Sequence, residues 1–263
     1  MRWVKDPASG RRSDLSRMDL AGLDLTEINL SGAVMVATSC QGALFSGANL
    51  SNADLFAADL TDADLSSANL TGASLRGAKL SGAKLDHADL TDADLRGGTV
   101  MSADGMRLGS ETTDISHCQL DFATLARARM SGSQLRRTSL FGAKLNGAQL
   151  NGVDLDETNF ANADLSGANL AGARASNASF RNASLRDSNL TGVSASKSHF
   201  EGADFECSEM AESSLVDCWV EKAKVLINPN NLPAYLRRVF TEHEQWVVTD
   251  NKHEERQNAD VNQ

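Results

Sequence analysis

The chain has 263 residues, a formal net charge of −10 and an apolar content of 41%. Aromatic residues make up only 5%, which excludes a conventional mixed core, and no apolar run is long enough to cross a membrane. The first residues lack the apolar stretch of a signal peptide, so we expect a cytoplasmic protein. The four cysteines follow no CxxC spacing, which argues against a zinc or redox centre.

Residues 1–12 form a short lead-in with a net positive charge. Trp3 and Val4 are its only substantial apolar groups. We expect this segment to cover the first open edge of the structure that follows, because an uncovered edge exposes unpaired backbone groups.

A period of five governs residues 13–225. Nearly every residue whose number is a multiple of five is apolar from Leu15 onward, and the residue two positions before it is small. From Ser46 to Leu95, ten consecutive units end in Leu. Neither the helical period nor the plain strand period produces this pattern. Each unit is too small to bury its own apolar face, so a core requires stacked units.

Units such as ANADL, SGANL and TDADL resemble those of the pentapeptide-repeat family. The resemblance implies an all-β fold, a right-handed quadrilateral parallel β-helix of about ten coils with four units in each coil, whose Leu and Ala side chains point inward. Residues twenty apart should then stack. Phe160, Phe180 and Phe200 satisfy this register, and Ala175 and Ala195 on the preceding face leave room for the rings.

The pattern fails over residues 101–114, where Gly105 and Ser110 replace the apolar residue. The break preserves the frame of five. Two interpretations follow: degenerate units that stay in the wall, or a loop that leaves it. We favour a distorted wall, because Ala103 and Leu108 still fall on inward positions.

Residues 226–248 carry a helix start signal, with Asn231 as N-cap and Pro233 in the first turn. An apolar stripe with helical spacing follows. This amphipathic helix is expected either to cap the last coil or to pair with its twin in a homodimer. Residues 249–263 are polar and are expected to be disordered. The helix face consists of Leu232, Tyr235, Leu236, Val239, Phe240 and Trp246.

No residue pattern indicates catalysis. The histidines lie in no metal or triad motif, and the repeat itself dictates where the many Asp residues stand. The glycines follow the apolar residue at corners and are typical of turns. We therefore expect a protein that is not an enzyme and that uses no cofactor and no metal.

The surface suggests two kinds of partner. Residues 13–100 hold twelve acidic against five basic residues. The repeat type is distantly similar to that of Qnr and MfpA-like proteins, and this resemblance implies a DNA mimic that binds DNA gyrase. Basic side chains interrupt the acidic surface, however, so we favour a scaffold that presents a rigid surface to an unknown protein partner, with no direct binding of nucleic acid.

Two sets of outward residues are candidates for the interaction surface. In the basic set, Arg76, Arg96 and Arg136 would share one column. Arg107 would stack over Arg127. The alternative is that these side chains form a solvated face that balances nearby acids. In the apolar set, Val36 would stack on Phe56; the alternative is that the N-terminal segment with Trp3 covers these side chains. The basic candidates are Arg96, Arg107, Arg127, Arg129, Arg136 and Arg137, and the apolar candidates are Val34, Val36, Leu44 and Phe56.

Overall fold

A computed structural model describes residues 13–101 and 107–224. The backbone over most of this range forms a parallel ladder of single-residue bridges between successive turns of the chain. Outside one insertion, the bridges join residues twenty apart, as in Asp14 to Val34 and Asn49 to Asn69. The four-unit coil predicted from the repeat is therefore confirmed.

One unit, residues 48–52, shows how the coil is made. The Leu50 N–H donates to Asn69 O at 2.7 Å, and the Asn52 N–H donates to Thr71 O at 2.8 Å, both in the next coil. The Ala53 N–H donates to Leu50 O at 3.0 Å and closes a tight turn at the corner. The turn places Asn52 at φ 55°, as the third residue of a type II turn requires.

The frequent Asp or Asn before each Leu has a structural role. The Asn49 side-chain oxygen accepts the Ser51 N–H at 3.1 Å, and Asp59 accepts the Thr61 N–H in the same way. Such a side chain satisfies a corner N–H that the ladder leaves free. The Asx residues of the repeat therefore build its corners, in agreement with their structural interpretation.

The core is a single column of side chains inside the coils. Beyond the first coil, the Leu and Ala positions are almost all buried. Phe160 and Phe180 stack with ring centroids 5.1 Å apart, and Phe180 and Phe200 stack at 4.8 Å. Ala175 and Ala195 are buried beside them. The predicted phenylalanine stack, with small residues in the neighbouring column, is confirmed.

Two strands interrupt the coils, and they correct the prediction of a distorted wall. Strand β1, Gly98–Met101, pairs antiparallel with strand β2, Arg107–Glu111, with an irregularity in register between Val100 and Met101. The ladder passes over this hairpin, since Lys79 bridges Asp114, 35 residues ahead instead of 20. Fifteen residues, which equal three units, therefore leave the wall. The prediction was wrong because an insertion of three whole units preserves the period of five. Ala103 and Leu108 therefore keep the spacing of inward residues although their segment leaves the wall.

The predicted boundaries at both ends lie outside the described residues. The lead-in 1–12, the helix 226–248 and the tail 249–263 all belong to that part of the chain. Their predicted roles stay predictions. Within the described residues, no helix is long and apolar enough to cross a membrane.

Candidate functional site

Several side chains hold the place where the hairpin leaves the wall. We call it the hairpin root, and it consists of Phe56, Arg76, Asp94, Gly97, Gly98 and Thr113. The repeat positions Phe56, Arg76 and Asp94 on successive coils at one corner, and the hairpin supplies the two glycines.

Thr113 joins the returning chain to the wall. It is fully buried, and its hydroxyl oxygen accepts the Gly77 N–H at 2.8 Å. The hydroxyl proton is shared between two carbonyl oxygens, Arg96 O at 2.8 Å and Leu75 O at 3.3 Å. This one side chain thus ties the returning chain to three backbone groups that precede the insertion. Each of these groups also has a backbone partner, since the Gly77 N–H donates to Arg96 O at 3.2 Å and the Ala78 N–H donates to Leu75 O at 3.0 Å.

Gly98 lies directly against the ring of Phe56. A Cβ atom at Gly98 would lie 2.6 Å from a Phe56 ring carbon and 3.3 Å from Arg76 O. Only glycine fits there without a shift of the ring. The Arg76 guanidinium donates to Gly97 O from Nη2 at 3.3 Å. The start of β1 is therefore in contact with the Phe56 ring at Gly98 and is hydrogen-bonded to Arg76 through the carbonyl oxygen of Gly97.

Asp94 closes the root on the other side. It is 6% exposed, and both of its oxygens receive bonds from Arg96, at 2.9 Å each. Arg129 adds a contact at 3.2 Å from the next coil. Burial raises the pKa of Asp94, but the hydrogen bonds from Arg96 and the charges of Arg129 and Arg96 outweigh it and hold the pKa below its ordinary value.

The predicted columns of the basic set need correction. Because fifteen residues leave the wall, Arg136 pairs with His117 one face away from Arg76 and Arg96. Arg127 lies over Asp92 instead of Arg107, with Nη2 2.6 Å from the carboxylate. Arg107 belongs to β2. Only Arg76 and Arg96 share a column, as their neighbouring turns show.

Of the six basic candidates, the five with described side chains all face carboxylates. Arg96 and Arg129 bind Asp94, Arg127 binds Asp92, and Arg136 and Arg137 approach Glu157 at 3.7 and 2.9 Å. Their positive charge is therefore neutralised locally. This geometry favours the alternative of a solvated face that balances nearby acids.

The apolar set divides between two faces. Val36 and Phe56 stack in successive coils and are half-buried together with Val34. Leu44 is 42% exposed, but it lies two units further along, on the opposite side of a four-sided coil. The hairpin covers Phe56 from one side through Gly98. The structure brings together three of the four apolar candidates and places one of them in the hairpin root.

Two exposed aromatic clusters are not among the predicted site residues. Phe122 stacks on His87 with centroids 5.4 Å apart and meets Phe141 edge-on. Trp219, 46% exposed, stacks on His199 at 4.2 Å. The sequence signal of the first cluster was hidden, because His87 and Phe122 lie 35 residues apart across the insertion. Trp219 does follow His199 by one coil.

The thiol groups and metal-ligand side chains offer little chemistry. Cys40 is buried, and burial, with the charges of Asp59 and Asp19, raises its pKa to about 12. Cys118 is buried, whereas Cys218 is half-buried and its pKa is raised to about 11, mainly by burial. The ranges 13–101 and 107–224 contain no group of three or more His, Cys, Asp or Glu residues that could hold a metal ion.

Comparison with known proteins gives the family directly. A family model for pentapeptide repeats matches residues 13–52, 58–97 and 118–156 in 8 copies, and a model for a pentapeptide repeat region matches residues 143–218. Together these matches cover more than half of the chain. No curated protein matched the sequence.

Several solved structures are similar to this chain. HetL from the cyanobacterium Nostoc sp. strain PCC 7120, a pentapeptide repeat protein involved in heterocyst differentiation regulation, is 24% identical, with 82% of this chain and 90% of HetL covered and a TM-score of 0.33. Full-length QnrB1, a plasmid-mediated fluoroquinolone resistance protein, is 16% identical, with coverage of 88% and 98% and a TM-score of 0.32. Rfr23 from the cyanobacterium Cyanothece 51142 is 23% identical, with coverage of 56% and 91% and a TM-score of 0.22.

The family matches, the corner chemistry and the twenty-residue ladder agree with one another. The chain belongs to the pentapeptide-repeat family, and its stacked coils form the right-handed β-helix of that family.

Proposed function

We propose that the chain is a non-enzymatic scaffold that presents the hairpin of β1 and β2 to a protein partner. The observation that carries this proposal is the hairpin root. A loop that only tolerated an insertion would need no such support. Here a buried threonine, a buried aspartate with two arginines, and an aromatic ring hold the place of departure.

A fixed point of departure favours binding because a partner then meets an element whose base is already held in place. Ordering of interface side chains and loops on binding costs free energy, and a pre-organised loop avoids part of that cost. The coil wall below the hairpin is itself a dense column of buried side chains. The two together form a rigid support.

A deletion that leaves the wall intact tests this proposal. Removal of residues 98–112 joins Gly97 to Thr113 and restores the twenty-residue register between Lys79 and Asp114. Gly97 then occupies a corner position that Gly132 and Gly152 fill in later coils at φ 71° and 67°. Immobilised full chain, this deletion, and a Phe122→Ser control are incubated with cell extract, and bound proteins are quantified by mass spectrometry.

We expect at least one protein to be retained by the full chain and by the Phe122→Ser control and lost with the deletion. Retention of the same proteins at equal levels by the deletion variant would reject the hairpin as the presenting element. Circular dichroism of the deletion variant establishes that its coils are intact.

The alternative is the DNA mimic that the similarity to Qnr and MfpA-like proteins implies, with DNA gyrase as partner. The described surface supports it less well. Asp59 and Asp114 flank Lys79 on one face, and Lys84 follows Asp64 on the next, so cations interrupt the acidic columns. Inhibition of gyrase supercoiling that weakens with added salt would favour the mimic. Its absence would reject it.

The predicted homodimer through the C-terminal helix concerns residues outside the described ranges. It is a separate proposal, and sedimentation of a Leu236→Asp/Phe240→Asp variant beside the full chain tests it.

A further inference from the structure

The first coil, residues 13–32, differs from the coils after it. Elsewhere the inward position two residues before the apolar centre is small, as Ala48, Ala53 and Ala58 are. In the first coil this position carries Met18, Leu23 and Ile28. Met18 is 41% exposed and Leu23 37% exposed, and Ile28 is partly buried. We call these three side chains, with the ends of Leu20 and Leu25, the first-coil end.

The first-coil end is also an open backbone edge. In later coils the N–H before each apolar centre donates to the preceding coil, as Val34 N does to Ser13 O at 2.8 Å. The equivalent N–H groups of Asp14, Asp19 and Asp24 have no preceding coil in the described part of the chain. An apolar end with an unpaired edge is a surface that a repeat protein must cover in order to stay soluble.

The negative charge of the first-coil end favours a basic segment as the group that covers it. Asp14, Asp19 and Asp24 stand on three of the four faces of the first coil. The next coil has the uncharged Val34, Ser39 and Leu44 at the same positions. Aspartates return there only in the third coil, so an uncharged coil separates the acidic ring of the end from the next one. With Glu27 and Arg17, residues 13–32 carry a net charge of −3.

Residues 1–12 have the complementary composition. They contain four basic residues and one acidic residue, a net charge of +3, together with Trp3 and Val4. The segment joins the coil at Ser13, directly beside the end. One five-residue unit spans one side of a coil, so twelve residues are long enough to cross the end and return.

We propose that residues 1–12 dock on the first-coil end, with Trp3 against Met18 and Leu23 and the basic side chains beside the aspartate ring. This interaction surface is independent of the hairpin and of its partner. It competes with contact between the ends of two copies of the chain, because both would use the same apolar surface and the same backbone edge.

The test uses tryptophan fluorescence. A Trp219→Phe/Trp246→Phe variant leaves Trp3 as the single tryptophan. We expect its emission to be blue-shifted and weakly quenched by acrylamide, independently of protein concentration. Added Met18→Asp and Leu23→Asp substitutions remove the apolar end, and we expect a red shift and a several-fold rise in quenching. Leu44→Asp is the matched control, since Leu44 is equally exposed but lies on the side wall.

A solvent-like Trp3 emission that the Met18→Asp/Leu23→Asp pair does not change would overturn the proposal. Shielding of Trp3 that disappears on dilution would also overturn it, because a second copy would then cover the end. Trypsin cleavage after Arg11 and Arg12 provides an independent readout. It should accelerate in the Met18→Asp/Leu23→Asp variant and stay unchanged in Leu44→Asp, and equal rates in all three proteins would contradict docking.

Discussion

The corners of this protein force many ordinary residues into a left-handed backbone conformation. Side chains as different as Glu27, Ala57, Phe122 and Lys197 have φ between 53° and 61°. Such a conformation costs a residue with a Cβ atom about 1 kcal/mol relative to glycine. The coil tolerates this cost because the ladder and the Asx side chain fix the turn from both sides.

A Lys197→Gly substitution should therefore stabilise the protein. Lys197 is exposed and has φ 54°. Glycine removes the free-energy cost of the left-handed conformation, and this gain is larger than the entropic cost of ordering a more flexible residue on folding. We therefore expect the free energy of unfolding to rise by about 0.5 kcal/mol, measured by urea denaturation. The matched control is Lys144→Gly, at an exposed ladder position, where glycine should destabilise. Equal effects at the two positions would contradict the explanation.

Asp94 should make the hairpin root sensitive to acid. Its folded-state pKa is lowered, so its contribution is fully present above the pKa of an unfolded aspartate, about 3.9. That contribution is lost as the pH falls through the folded-state pKa. We expect Asp94→Asn to lower the stability of the root by about 2 kcal/mol at neutral pH, measured by hydrogen exchange over residues 97–113, and to remove most of its acid dependence.

Asp92→Asn is the control for this variant, because Asp92 is a solvent-exposed carboxylate paired with Arg127. It should leave exchange in the root nearly unchanged. Equally faster exchange in both variants would show that the loss of any nearby negative charge weakens the root, and that the contacts of Asp94 with Arg96 and Arg129 have no special role.

At the scale of the element, the coil is stabilised by columns that run through several turns. The rings of Phe160, Phe180 and Phe200 form the largest such column. Each coil contacts mainly its two neighbours, so a substitution in one coil lowers the stability of adjacent coils more than that of distant ones. The middle ring has a partner on both faces and is fully enclosed.

Phe180→Ala should consequently be strongly destabilising. Loss of the ring leaves a cavity between two aromatic side chains, and we expect a loss of about 3–5 kcal/mol in unfolding free energy. Phe122→Ala removes an equal volume from a ring that is 49% exposed and should cost below about 1.5 kcal/mol. Similar denaturation midpoints for the two variants would contradict the enclosed column.

At the scale of the whole molecule, the hairpin is an insertion in a structure that is complete without it. Removal of residues 98–112 restores a uniform ladder, so we expect the variant to keep its β-rich circular dichroism spectrum and to unfold at a temperature similar to or higher than that of the full chain. A cooperative loss of the spectrum at room temperature would show that the hairpin is needed for folding of the wall. Replacement of residues 99–110 by a Gly-Ser linker serves as the length-matched control.

The hairpin root was only partly predictable from the sequence. The sequence pattern singles out Phe56 and Arg76, but only as members of surface sets. Gly98, Thr113 and Asp94 were not recognised, because each looks like an ordinary repeat or turn residue. Their roles depend on contacts such as that of Thr113 with Gly77, 36 residues away.

The sequence by itself determined the coil. The apolar centre, the small inward residue and the Asx side chain act within a few residues of one another, so a period of five is enough to specify the turn, the inward face and the twenty-residue stack. Only the tertiary structure decided which units belong to the wall. An insertion of fifteen residues keeps the period, and hydrogen bonds from Leu80 to Asp114 and from Leu95 to Arg129 select where the chain rejoins the ladder. That choice also sets which arginine meets which carboxylate, because every stacking partner across the insertion shifts with it.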